Sequence, residues 1–303
     1  MIKRTLLIEN PAYLSTKYEQ LVIELKNENQ EKHTLPMSEI GVVILSHPQI
    51  TITSQAKIQL MQNNVVLIQC GTNGMPIGMM LPFDGHYTFS QNVRHQVEAS
   101  QALKKQLWQQ TIQAKILNQA KLLEKYDIAS FPLRNYAQNV YSGDKDNKEA
   151  HAANFYWSKI FPEIPDFIRE RGGLYPNNLL NYGYAILRAV TARALVSSGL
   201  LLVLGIFHRN KYNAFCLADD IMEPYRIFVD EIVKKRVTLE FLNKQFSLEL
   251  TKQIKMEILN ILTTDVHIDD ETSPLFNALQ KSANSLLRCY KGEKRRLLYP
   301  DFQ

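Results

Sequence analysis

The sequence predicts an α+β protein in which a small β-rich domain, residues 1–85, precedes a larger and mostly α-helical domain, residues 86–303. Three observations support this. Short apolar stretches rich in β-branched residues, separated by turn residues, fill the first part. Residues 82–85, with Pro82 and Gly85 at the ends, read as a linker. Beyond them the apolar spacing changes from strand-like to helical, and a β segment followed by a helical one gives α+β architecture.

Strands are expected at residues 5–8, 20–25, 41–45 and 65–69, with turns at Asn10-Pro11, 27–29 and 71–74. A short helix is expected at 54–61, capped by Thr53 or Ser54 through a hydroxyl that accepts from the first turn. Between residues 97 and 126, apolar side chains recur at Leu103, Leu107, Ile112, Ile116, Ala120 and Leu123, close to helical spacing. Further helices are expected at 148–160, 178–198, 215–237, 239–246, 248–263 and 274–290. The most apolar run, 195–207, is broken by Ser197, Ser198 and Gly199 and is too short to span a bilayer. A buried helix and turn is expected there, with no membrane association. The N-terminal MIKRTLLIENPAYLS has no long apolar core and no small-residue cleavage site, which argues against a signal peptide.

Composition narrows the class. A chain of 303 residues can bury a sizeable core in one large or two ordinary domains. Hydrophobic residues at 45% and charged residues at 21% exclude a disordered chain. The net charge of +5, from 35 basic and 30 acidic residues, points to an anionic partner only where the cations cluster. The three cysteines, Cys70, Cys216 and Cys289, are odd in number and form no CxxC. That argues against a disulfide framework or a zinc ribbon and fits a reducing cytoplasm.

The residues that could carry chemistry are few. Asp220 and Glu223 lie three apart, on one face of a helix, and Pro224 starts or kinks a helix just after them. With Asp219 they place three acids inside an apolar stretch. Such acids face solvent or share a cation, and spacing alone favours solvent. His208 leaves the apolar run just before Arg209, Asn210 and Lys211, where a histidine is an exposed turn residue or a metal ligand oriented by an acceptor behind it. Glu149 opens a segment with Ala150, Ala152 and Ala153, as a first-turn acid that complements the helix dipole or as a ligand. His151, His47 and His95 compete with His208, and spacing does not separate them. A carboxylate-rich set with one imidazole suits Mg²⁺ or Mn²⁺, ions that bind phosphate oxygens and activate an attacking hydroxyl or water. No GxxxxGK[ST] loop is present, so ATP use is not suggested.

Cations cluster near the C-terminus at Arg288, Lys291, Lys294, Arg295 and Arg296, interleaved with Tyr290 and Tyr299. Arg188 with Arg193, and Arg169 with Arg171, form two further clusters. The terminal cluster reads equally as a solvated face or as a grip on phosphates, and all three could grip phosphates with salt-sensitive affinity.

The chain resembles a known family in KRTLLIENPAYLS from Lys3, IGVVILSHPQITIT from Ile40, GMMLPFDGH from Gly78 and LKKQLWQQTIQAKILNQA from Leu103. The likeness continues in NLLNYGYAILRA from Asn178, LGIFHRNKYNAFCLADDIMEPYR from Leu204 and GEKRRLLYP from Gly292. By these segments it resembles the CRISPR-associated spacer-acquisition integrase/endonuclease family, the first-numbered Cas protein ("Cas one"), in its type II-like form. The resemblance covers essentially the whole chain and is most specific around residues 208–226. It implies that Glu149, His208 and Glu223 hold the metal and carry catalysis, with Asp220 completing or supporting the site. Asp219 is its immediate neighbour, and only one of the two can face the ion. It also implies that Lys211 lies near the DNA backbone; from the terminal cluster itself, Arg288, Lys294, Arg295 and Arg296 are further DNA-binding candidates.

The resemblance further implies a homodimer formed through the β domain. Two dimers would flank a dimer of a small partner ("Cas two"), and the assembly would carry a double-stranded DNA fragment to repeat DNA. The fragment's 3′-hydroxyl would attack a repeat phosphodiester by transesterification, with the RNA-guided effector nuclease helping to choose fragments. Two alternatives stand beside it: a stand-alone metal-dependent nuclease on branched DNA, and a non-catalytic nucleic-acid scaffold.

Overall fold

The computed structural model describes residues 3–26, 31–83, 85–244 and 248–303. Outside them fall residues 1–2, the expected turn at 27–29, Asp84 of the expected linker, and residues 245–246 at the end of an expected helix. The chain divides into two compact units, Met1–Tyr87 and Thr88–Gln303. The first is β-rich and the second mostly helical, an α+β fold.

Among the described residues the first unit holds two four-stranded sheets. In one, β1 (Arg4–Ile8), β5 (Ile40–Leu45) and β7 (Val66–Cys70) run parallel, and β8 (Pro76–Met80) returns antiparallel to β7. All six residues of β5 are buried, which is why this strand reads as an unbroken apolar run instead of an alternation. In the other sheet, β2 (Ala12–Lys17), β3 (Gln20–Leu25) and β4 (Lys32–Pro36) form an antiparallel meander, with β6 (Thr51–Ile52) beside β2. β2 turns into β3 through Tyr18 and Glu19, both at positive φ (49° and 58°), the backbone pattern of a tight hairpin. Helix α1 (Ser54–Gln62) is capped by Thr53, whose hydroxyl accepts from the Ala56 amide at 3.2 Å. Strands β2, β4, β6 and β8 were not expected from sequence. β6 is only two residues, β2 and β4 are rich in polar residues, and β8 (PIGMM) is apolar but interrupted by Gly78, so no run of β-branched residues marks them.

The second unit opens with α2 (Phe89–Glu98) and the long α3 (Gln101–Lys125), followed by α4 (Phe131–Gln138) and α5 (Lys148–Trp157). Helix α6 (Asn177–Ser197) is buried on almost every face. Its Gly183 lets the helix that carries Val229 come close: a Cβ there would stand 2.4 Å from Val229 Cγ1. Helix α7 (Cys216–Met222) tightens into a 3-10 turn, Glu223–Tyr225, and α8 (Arg226–Asn243) continues from it. Pro224 thus kinks the chain where expected, but no break occurs at residue 238. Thr238 stays helical, with its hydroxyl donating to Glu163 at 2.7 Å. Helix α9 (Lys252–Leu259), a hairpin of β9 (Asp265–Ile268) and β10 (Glu271–Pro274), and α10 (Leu275–Tyr290) complete the unit. Among the described residues no helix is long and apolar enough to cross a membrane.

Candidate active site

One face of α3 organises the site. Trp108, Thr111, Lys115 and Asn118 recur at helical spacing and point to one side. Trp108, fully buried, stacks on Phe207 with ring centroids 4.3 Å apart and meets the His208 ring edge-on at 5.6 Å. Lys115 is largely buried, with its side chain 13% exposed, and its Nζ lies 2.7 Å from Glu149 Oε1 and 2.7 Å from Glu223 Oε2. Asn118 donates to the Pro224 carbonyl at 3.0 Å and to the Pro300 carbonyl at 3.0 Å, and accepts from the Phe302 amide at 3.1 Å. It therefore ties the turn that carries Glu223 both to α3 and to the C-terminal segment.

Each expected acid is held by its local chain. Asp144 accepts from the Lys148 amide at 2.8 Å and the Glu149 amide at 3.0 Å, so it caps α5 and fixes Glu149 in the first turn. Glu223 is presented at the start of the 3-10 turn and also pairs with Arg226 at 3.1 Å. Burial would raise its carboxyl pKa, but Arg226 and then Lys115 outweigh it and hold the group at about 2. Glu223 is thus ionised at neutral pH.

His208 lies in the segment between α6 and α7. Gly205 allows that segment to fold tightly: a Cβ there would stand 2.5 Å from the His208 carbonyl oxygen and 2.7 Å from Asp220 Oδ2. Asp220 is fully buried. One of its oxygens accepts from the Phe207 amide at 3.0 Å; the other meets His208 Nδ1 at 2.5 Å and accepts from the His208 amide at 3.3 Å. Asp220 therefore stands behind His208 and supports it. The bond to Asp220 raises the imidazole pKa against burial, and the charges of Glu223 and Glu149 add to it. Asp219 turns elsewhere, gripped by Arg188 at 2.7 and 2.9 Å and by Asn213 at 2.7 Å.

Do these residues fit a divalent ion? Two carboxylates already converge on a single cation, the Lys115 ammonium. The imidazole beside them has its Nδ1 held by a carboxylate, the arrangement that orients metal-binding histidines and leaves Nε2 as donor. The donor set suits a hard or borderline ion. Among the described residues no three His, Cys, Asp or Glu side chains are gathered closely enough to hold an ion together. The two glutamates close on Lys115 instead.

The cationic candidates separate by environment. Arg169, Arg171 and Arg226 line a cavity of about 240 Å³ with Lys115, Glu223 and Asp230. Arg188 joins Arg169, Arg171 and Arg226 along an adjoining cavity. Arg193 does not share that role: it is buried over the Phe276 ring at 4.6 Å, and burial lowers its pKa to about 10. Lys211, Lys294, Arg295 and Arg296 are exposed. Arg288 is exposed too and pairs with Glu293 at 3.4 Å. Tyr290 and Tyr299 turn inward, Tyr290 buried and Tyr299 bonded to Thr111 at 2.8 Å. Of the competing histidines, His151 lies against Tyr136, and His47 accepts from the Gln49 amide at 3.1 Å in the first unit.

Sequence reasoning missed Trp108, Lys115 and Asn118. The available signal was the recurrence of Trp108, Thr111, Lys115 and Asn118 at helical spacing along α3.

Residues 6–257 match the family model described as CRISPR associated protein Cas1. A CRISPR-associated endonuclease Cas1 from Neisseria meningitidis serogroup C is 36% identical over 289 residues, covering 94% of this chain and 91% of that protein. Among solved structures, a casposase bound to integration product superposes with a TM-score of 0.79 at 21% identity, covering 97% of this chain and 92% of that one. A chain of a Cas6-RT-Cas1–Cas2 complex superposes with a TM-score of 0.73 at 20% identity, covering 97% of this chain and 35% of that one.

Proposed function

This chain belongs to the CRISPR associated protein Cas1 family, and on that basis we propose that it is a divalent-metal-dependent DNA integrase/endonuclease of CRISPR adaptation, joining the 3′-hydroxyl of a foreign DNA fragment to a repeat phosphodiester. The observation that carries the proposal is the convergence of Glu149 and Glu223 on one cation, 2.7 Å from each, beside a histidine whose Nδ1 is held by Asp220. Glu149, His208 and Glu223 would hold Mg²⁺ or Mn²⁺. When bound, the ion supplies charge stabilisation at the phosphodiester and activates the attacking hydroxyl.

The chain's own residues do the rest. Asp220 fixes the ring of His208. Lys115 and Arg226 keep Glu223 ionised. Asn118 holds the turn that presents it. Arg169, Arg171 and Arg226 place positive charge against the same cavity, where a phosphate backbone entering the site would be met. One phosphodiester bond is exchanged for another, so no nucleotide triphosphate is required.

The Neisseria relative is called an endonuclease, and the casposase was solved on an integration product; both support this chemistry. The complex containing Cas2 supports a small Cas2 partner for this chain. A homodimer through the first unit is supported by β1 and β8, the outer strands of their sheet, which need a neighbour or a cover. The test is strand transfer of a labelled fragment into a repeat-containing plasmid with Mg²⁺ or Mn²⁺. Joined product supports integration. Cleavage without joining would favour a stand-alone nuclease, and neither product would leave a DNA scaffold.

A further inference from the structure

Lys115 has no role in the chemistry just described beyond charge, yet it occupies the centre of the site. Its ammonium sits 2.7 Å from Glu149 and 2.7 Å from Glu223, and its side chain is only 13% exposed. Two carboxylates brought this close repel each other unless a cation lies between them. A divalent ion held by both glutamates needs the same space and the same oxygens. The ammonium is tethered to α3 by a flexible four-carbon stem, so it can withdraw without moving the helix. The cavity beside it, about 240 Å³ and lined by Gln119 and Asp230, gives it somewhere to go.

We propose that Lys115 is a built-in placeholder cation: it holds Glu149 and Glu223 together while the site is metal-free, and must leave their oxygens for a divalent ion to bind. The proposal rests on Glu149, His208 and Glu223 being the metal ligands. Two consequences follow. The placeholder keeps the acids preorganised, which protects the fold around α3 and α5. It also competes with the ion, so metal affinity in the wild type is weaker than the donor set alone would give.

The experiment measures Mn²⁺ binding to the full chain by electron paramagnetic resonance, without DNA, for wild type, Lys115→Gln, Lys115→Arg, Glu149→Ala and His208→Ala. Removing the competing charge in Lys115→Gln is expected to tighten Mn²⁺ binding by about tenfold. Lys115→Arg, which keeps a cation, stays near wild type. Without metal, Lys115→Gln melts below wild type, and Mn²⁺ raises its melting temperature by more than it raises the wild type's.

A second measurement uses the wild type alone and does not depend on any variant folding. Reductive methylation of Lys115, read by mass spectrometry, is expected to speed up when Mn²⁺ is added. Binding of Mn²⁺ by Lys115→Gln no tighter than by wild type, or Lys115 labelling unchanged or slowed by Mn²⁺, would overturn the placeholder while leaving the ligands intact. Wild-type binding that is absent, or insensitive to Glu149→Ala and His208→Ala, would overturn the ligand assignment and the placeholder with it.

Discussion

The ring of Trp108 lies parallel to that of Phe207, with planes 1° apart and centroids 4.3 Å apart, so the residue next to His208 is seated on α3. The stack makes the position of His208 a matter of core packing, because Trp108 is fully buried. Trp108→Ala is expected to cost about 3–5 kcal/mol of stability, the range for deleting a large buried aromatic. Urea denaturation with and without the substitution measures it. A loss below about 1 kcal/mol would show that the stack does not seat the segment.

Asp230 gives the protein a pH dependence separate from Glu149, His208 and Glu223. Burial pushes its carboxyl up to about 6, against hydrogen bonds from the Tyr184 and Tyr156 hydroxyls. An acid raised in the fold binds its proton there while the unfolded chain has already lost it. Its stabilising contribution is therefore complete below the unfolded value near 3.8 and is lost as pH rises through about 6. Asp230→Asn removes this dependence. Relative to wild type, the variant is expected to gain on the order of 2–3 kcal/mol between pH 4 and pH 7. Denaturation at both pH values checks it. A stability difference that does not change with pH would contradict the cause given.

Arg295 and Arg296 are exposed, and the chain just after them is anchored, with Leu297 buried and its amide donating to Gln110 at 2.8 Å. Replacing both arginines by alanine is expected to leave stability unchanged, to weaken DNA binding, and to flatten its salt dependence by about two units of slope, at roughly 0.9 per phosphate contact. Binding measured across a salt series decides this. An unchanged slope would remove both residues from the interface.

Much of this was legible in the sequence. The buried strand β5 and the helix α6 announce themselves by unbroken apolar character and by helical spacing. Pro224 marks the turn that presents Glu223. The hairpin of β9 and β10 was missed because its strands are four residues each and its turn, Asp269-Asp270, carries two acids at positive φ where glycine or asparagine would have signalled it. Lys115 was missed for a different reason. A single lysine in a helix reads as solvated, and only the tertiary fold brings Glu149 and Glu223, from two other elements, to its ammonium. Asp220 was legible as an acid of the site, but its place behind His208 depends on the tight fold at Gly205.

The assignment of Glu149, His208 and Glu223 as the residues that hold the reaction's metal is tested most directly by strand transfer in their variants. Glu223 is buried between Lys115 and Arg226, so Glu223→Ala would leave buried cations short of a partner, at a cost of about 3–5 kcal/mol. Glu223→Gln keeps the shape and removes the charge, and is the cleaner change. Glu149→Ala, His208→Ala and Glu223→Gln, each shown to be folded by circular dichroism, are assayed for joining a labelled fragment to a repeat-containing plasmid, with DNA binding measured in parallel. All three are expected to keep DNA binding and lose joining in Mg²⁺, with partial recovery of His208→Ala in Mn²⁺. Joining near the wild-type rate in any one of them would contradict the assignment of that residue.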